Sequence, residues 1–85
     1  MLEGKRVVVT GAGRGVGAAI ARACARNGAI VGVNYLTSEA GARALSEEDP
    51  EHFRLLPFDV RDPDAIAAAV RHFSEDEGKI DGWVN

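Results

Sequence analysis

At 85 residues the chain is at most one small domain, and a fold built on a parallel sheet usually needs more length to cover both faces, which argues against a complete enzyme. Apolar residues make up 46% and charged residues 27% of the chain, without a block of one sign, so a folded rather than disordered protein is expected. Ten basic against thirteen acidic residues give a net charge of −3, which offers no general attraction to nucleic acid or an anionic membrane, so any phosphate affinity must be local. Cys24 is the single cysteine and cannot form an intramolecular disulfide, and Met1 to Gly4 carry no apolar run of the secretory kind. Strand-length apolar stretches such as Val7-Val8-Val9 fall far short of the roughly 18 residues of a membrane span. A soluble, cytoplasmic protein is the expectation.

Val7-Val8-Val9-Thr10 is a β-branched run without polar alternation, the pattern of a strand buried on both faces. A glycine-rich stretch follows from Gly11 to Gly17, and then Val16, Ala19, Ile20, Ala23 and Cys24 recur at helical spacing. The spacing predicts a first helix running to about Asn27, stopped by Gly28, and a second strand over Ile30 to Tyr35. Thr37 and Ser38 are N-cap candidates for a second helix over Glu39 to Glu48, whose apolar face would be Ala40, Ala44 and Leu45. Phe53 to Phe58 reads as a third strand with Pro57 near its end. Asp62 then caps a third helix with Pro63 in its first turn, a buried stripe of Ile66, Ala69, Val70 and Phe73, and Gly78 as its stop. Ile80 to Asn85 reads as a fourth strand. Alternating strands and helices imply an α/β fold: a parallel sheet with right-handed crossovers, in strand order 3-2-1-4.

Four glycines stand among the seven residues from Gly11 to Gly17, more than a tight turn alone requires. Glycines between a strand and a helix let backbone N–H groups approach a pyrophosphate and let the helix pack close to the sheet, and the phosphate then meets the positive end of the helix. A P-loop would need Lys followed by Ser or Thr after the last glycine, but Ala18 and Ala19 stand there, which excludes that form of ATP or GTP chemistry. The pattern T-G-x-x-x-G-x-G fits Thr10, Gly11, Gly15 and Gly17 without relaxation.

With this fingerprint, with Gly4-Lys5 ahead of it, Asp59-Val60 after the third strand and Asp81 to Asn85 at the end, the chain resembles the first part of short-chain dehydrogenase/reductase family members. The Asn34-Tyr35 strand end and Thr37-Ser38 are most similar to the 3-oxoacyl-carrier-protein reductases within it. The resemblance implies the first half of a Rossmann-type dinucleotide-binding domain over residues 1–85. It implies a cofactor site from Gly11, Gly13, Arg14, Gly15, Val16 and Gly17 in the loop, Asn34, Tyr35, Thr37 and Ser38 after the second strand, Asp59 and Val60 beside the adenine, and Asn85, which matches the first Asn of the family's N-N-A-G motif. Its catalytic Ser and Tyr-x-x-x-Lys cannot be assigned: the single tyrosine, Tyr35, is followed four residues later by Glu39. The catalytic part is therefore expected beyond Asn85.

The implied activity is hydride transfer between a nicotinamide cofactor and a small-molecule carbonyl or alcohol in the complete enzyme; family members are commonly homo-oligomers, dimers or tetramers, and the oligomeric state of this one stays open. NADP(H) is expected over NAD(H). NAD-preferring members hold the ribose with an acid at the end of the second strand, where Tyr35 stands, while Arg14 in the loop and the Thr37 and Ser38 hydroxyls suit a 2′-phosphate. A non-catalytic nucleotide-binding module, or a half-sheet that self-associates, is the alternative. His52 and His72 lack ligand spacing and read as surface or packing residues, and Cys24 as a structural thiol.

Overall fold

The computed structural model describes residues 2–13 and 15–85. The elements run β1 (Arg6–Val9), α1 (Gly15–Arg26), β2 (Ile30–Tyr35), α2 (Glu39–Glu48), β3 (Phe53–Pro57), α3 (Pro63–Glu77) and β4 (Gly82–Val84). All four strands are parallel, in the order β3-β2-β1-β4. The expected order of a dinucleotide-binding half-sheet is therefore present. Its reversal point falls at β1, where β2 lies on one side and β4 on the other.

Strand alternation sorts the core into two layers. Val7, Val9, Val31, Val33 and Phe53 pack with Ala18, Ala21 and Ala25 of α1 and with Ala42 and Leu45 of α2 on one face. Val8, Leu56, Phe58 and Phe73 pack on the other face, with Ile66 and Ala69 of α3 against them. Asp62 caps α3 by accepting hydrogen bonds from the Asp64 and Ala65 N–H groups, with Pro63 behind it. Gly28 and Gly78 follow their helices at φ +99° and +103°, where a residue with a Cβ is strained.

Two predicted helix faces are corrected. The buried stripe of α1 is Ala18, Ala21 and Ala25, whereas Val16 is 77% exposed, Ala19 and Ala23 face solvent, and Ile20 and Cys24 are only partly buried. Hydrophobicity favoured the larger side chains, but a helix held close to a sheet needs methyl-sized residues at the contact. In α2 the buried pair is Ala42 and Leu45, while Ala40 and Ala44 are exposed. Ser38 occupies the N-cap position, but at φ −94° and ψ 50° it leaves the extended conformation of a capping residue and its side chain makes no capping bond. The third strand ends at Pro57 rather than Phe58, and the fourth begins at Gly82 rather than Ile80. No helix among the described residues is long and apolar enough to cross a membrane.

Candidate functional site

A cleft of about 500 Å³ opens at the carboxyl ends of the strands. Parallel sheets place ligands there, outside the strand ends at the point where strand order reverses. Its wall collects Thr10, Gly11 and Gly13 from the end of β1, Asn34 through Ser38 from the end of β2, Phe58 through Arg61 from the end of β3, and Asn85. Nine of the thirteen predicted site residues line it: Gly11, Gly13, Asn34, Tyr35, Thr37, Ser38, Asp59, Val60 and Asn85. Arg14, assigned from the sequence to the 2′-phosphate, lies outside the described residues.

Gly15, Val16 and Gly17 are not part of that wall, and their places show why. Gly15 begins α1 at φ +63°, a left-handed turn that carries the chain from the loop into the helix. Val16 points to solvent. Gly17 is pressed on the loop itself: a Cβ there would meet the Gly11 carbonyl oxygen and fall 2.8 Å from the Gly11 carbonyl carbon. The first turn of α1 thus sits directly on the glycine loop, and its leading N–H groups have no acceptor within the helix.

The start of α2 closes on the same loop. A Cβ on Gly13 would fall 2.7 Å from the Ser38 Cβ, and one on Gly41 would meet the Gly13 carbonyl oxygen. Glycine at both positions lets α2 bring Thr37 and Ser38 to the cleft. Asn34 lies between loop and sheet, 3% exposed. Its side chain accepts from the Gly11 N–H at 3.3 Å and donates to the Leu56 and Phe58 carbonyls at 3.1 and 3.0 Å. It is therefore a buried tie between the glycine loop and the end of β3.

Charge in the cleft is sparse. Asp59 forms a two-point pair with Arg61, at 2.9 and 3.0 Å, and also accepts from the Arg61 N–H at 2.8 Å. The Arg61 side chain, then its backbone N–H, lower the Asp59 carboxyl from its ordinary 3.8 to about 2. Glu39, the first acid after β2, is exposed and paired with Arg43 at 2.8 Å. The end of β2 itself presents Tyr35, which is 9% exposed and packed into the core. Asn85 accepts from the Thr10 hydroxyl at 3.1 Å and from the Trp83 indole N–H at 3.0 Å.

Thr10, Leu36, Phe58 and Arg61 line the cleft without having been singled out as site residues. Thr10 opens the glycine fingerprint, and Arg61 follows Asp59 by two residues, so both left a signal in the sequence. Leu36, 56% exposed, left none. Outside the cleft, His52 pairs with Asp49 at 2.9 Å and His72 lies 3.6 Å from Asp76 on an exposed turn of α3. Among the described residues no three His, Cys, Asp or Glu side chains converge as a metal site would require. Burial pushes the Cys24 thiol above its ordinary value, away from the reactive thiolate.

A glycine loop with two positions where a side chain would strike backbone, set against a helix start and an open cleft, fits a dinucleotide. Comparison with known proteins agrees. The model of the short chain dehydrogenase family matches residues 5–85. The chain is 43% identical over 84 residues to a 3-oxoacyl-[acyl-carrier-protein] reductase of Vibrio harveyi, covering 99% of this chain and 34% of that protein. A solved dehydrogenase/reductase from Sinorhizobium meliloti superimposes with a TM-score of 0.92 at 38% identity, over 99% of this chain and 34% of its own. A solved short-chain dehydrogenase from Burkholderia cenocepacia, in complex with NADP, does so with a TM-score of 0.89 at 39% identity, over 99% and 36%. The chain thus spans about a third of the length of each.

Proposed function

The chain belongs to the short-chain dehydrogenase family, and from that premise we propose that it forms the NADP(H)-binding part of an oxidoreductase that reduces a carbonyl or oxidises an alcohol. The observation that carries this reading is the cleft, where the glycine loop, the end of β2 and the Asp59 turn meet at the sheet's reversal point. When bound, the nicotinamide cofactor supplies or accepts the hydride. The residues of this chain bind and orient it. The start of α1 would receive the pyrophosphate, Asp59 and Val60 would border the adenine, and Thr37 and Ser38 would hold the ribose, with the 2′-phosphate assigned from the sequence to Arg14. Asn85, held by Thr10 and Trp83, lines the cleft.

Preference for the 2′-phosphorylated cofactor is supported by Tyr35 standing where a carboxylate would repel the phosphate, and by the pairing of Glu39 away with Arg43. Tyr35 has no lysine four residues on and is buried among core side chains, so proton transfer is assigned to residues outside this chain. The Vibrio relative makes a 3-oxoacyl thioester the first substrate to try. The experiment follows oxidation of NADPH by the full-length protein with such a thioester and with simpler ketones. NADPH-dependent reduction of a carbonyl is the expected result. A purified, folded protein that neither binds NADPH nor oxidises it with any of them would overturn the proposal.

A further inference from the structure

Asn34 is the buried polar side chain of the described core, and its bonds reach two segments that otherwise belong to opposite walls of the cleft. The Gly11 N–H donates to Oδ1, and the Ala12 N–H donates to the Asn34 main-chain carbonyl at 2.9 Å. Nδ2 donates both its hydrogens, to the carbonyls of Leu56 and Phe58. The orientation of the carboxamide follows from its partners, since only the oxygen can receive an N–H and only the nitrogen can serve two carbonyls. The β2–β3 ladder ends where Tyr35 pairs with Pro57, with a last main-chain bond from the Phe58 N–H to the Tyr35 carbonyl at 3.2 Å. The Asn34 amide adds the side-chain tie to the Phe58 carbonyl, immediately before Asp59.

We infer that Asn34 is a positioning residue that fixes the spacing between the glycine loop and the Asp59 turn, and through that spacing sets the affinity of the adenosine half of the site. The inference rests on the cofactor reading above. Alanine at position 34 deprives the Gly11 N–H of its acceptor and removes the carboxamide's bonds to the Leu56 and Phe58 carbonyls, which frees the loop from the chain before Asp59. Asn34→Ser restores one contact, because a single hydroxyl reaches one wall and cannot span both. Val31→Ala is the control: Val31 is buried in the middle of β2, and its loss weakens the sheet without touching either wall.

The test measures calorimetric binding of 2′,5′-ADP to the full-length protein, with amide exchange at Gly11 and Ala12. Wild type and Val31→Ala should bind alike, whereas Asn34→Ala and Asn34→Ser should bind roughly tenfold to a hundredfold more weakly, with faster exchange at both amides. Asn34→Ser carries the comparison if Asn34→Ala does not fold. Folded Asn34 variants that bind like wild type would overturn the inference and leave the cofactor reading intact, as would an equal loss in Val31→Ala. Failure of the wild type itself to bind 2′,5′-ADP overturns the cofactor reading and this inference with it.

Discussion

Replacing Gly17 by alanine adds one methyl group at the contact between α1 and the glycine loop. The atoms it would meet are the Gly11 carbonyl oxygen, the Gly11 carbonyl carbon at 2.8 Å and the Ala12 Cα at 3.2 Å. All are backbone, so no rotamer change relieves the overlap. Alanine in a helix gains up to about 1 kcal/mol over glycine, whereas overpacking costs about 1–3 kcal/mol. With backbone as the obstacle the upper part of that range applies, leaving a net loss of about 2 kcal/mol. Relief by moving Gly11 and Ala12 would also break their bonds to Asn34 and displace the loop from the cleft, so NADPH binding should weaken at least about tenfold. Denaturant unfolding and NADPH titration of the full-length variant measure both effects. Gly82→Ala serves as the comparison, because a Cβ there would contact only Val7 methyls, at 3.6 and 3.8 Å, and it should leave stability and affinity near wild type. A Gly17→Ala protein as stable and as tight-binding as wild type would refute the close-contact argument, as would equal damage from Gly82→Ala.

Asp59 should titrate at about 2 in a carboxyl-carbon NMR experiment and return toward the ordinary carboxylate range in Arg61→Ala. Because its folded value is lowered, the stabilising effect of the pair is present above about 3.8 and fades as pH falls toward about 2, with salt weakening it at this exposed site. Asp62→Ala removes the acceptor shared by the Asp64 and Ala65 N–H groups and should lower stability by about 1 kcal/mol in denaturant melts, with Asp62→Asn retaining most of it. An Asp62→Ala protein of unchanged midpoint would show that the Asp62 cap does not stabilise α3.

The strand order and the helix ends were legible because local rules act on them without help from tertiary structure. Val7-Val8-Val9 announces a strand covered on both faces, Asp62-Pro63 a helix start, and Gly28 and Gly78 helix stops. The site was largely legible for a related reason: the glycine spacing and the strand ends after β2 and β3 lie where the topology brings them together. What was misread depended on distance between elements. The periodicity of α1 permits either a Val16-Ile20 stripe or an Ala18-Ala21-Ala25 stripe, and only the closeness of helix to sheet selects the smaller residues. Gly13 and Gly41 look like loop and helix glycines until α2 is seen resting on the loop. The resemblance placed Asn34 in the cofactor site, but its role as a tie could not be read from the sequence, because its partners Gly11, Leu56 and Phe58 lie far apart in the chain.

On the proposed function, the cleft accepts a 2′-phosphorylated nucleotide because the end of β2 carries Tyr35 in place of an acid. The measurement is a paired titration of full-length wild type and Tyr35→Asp with NADPH and NADH. A single charge-assisted contact is worth about 1.5–3 kcal/mol, so wild type should bind NADPH roughly tenfold to a hundredfold more tightly than NADH. Tyr35→Asp should erase or invert that preference by placing a carboxylate against the phosphate. Equal affinity for both cofactors in wild type, or a preference unchanged in Tyr35→Asp, would contradict it.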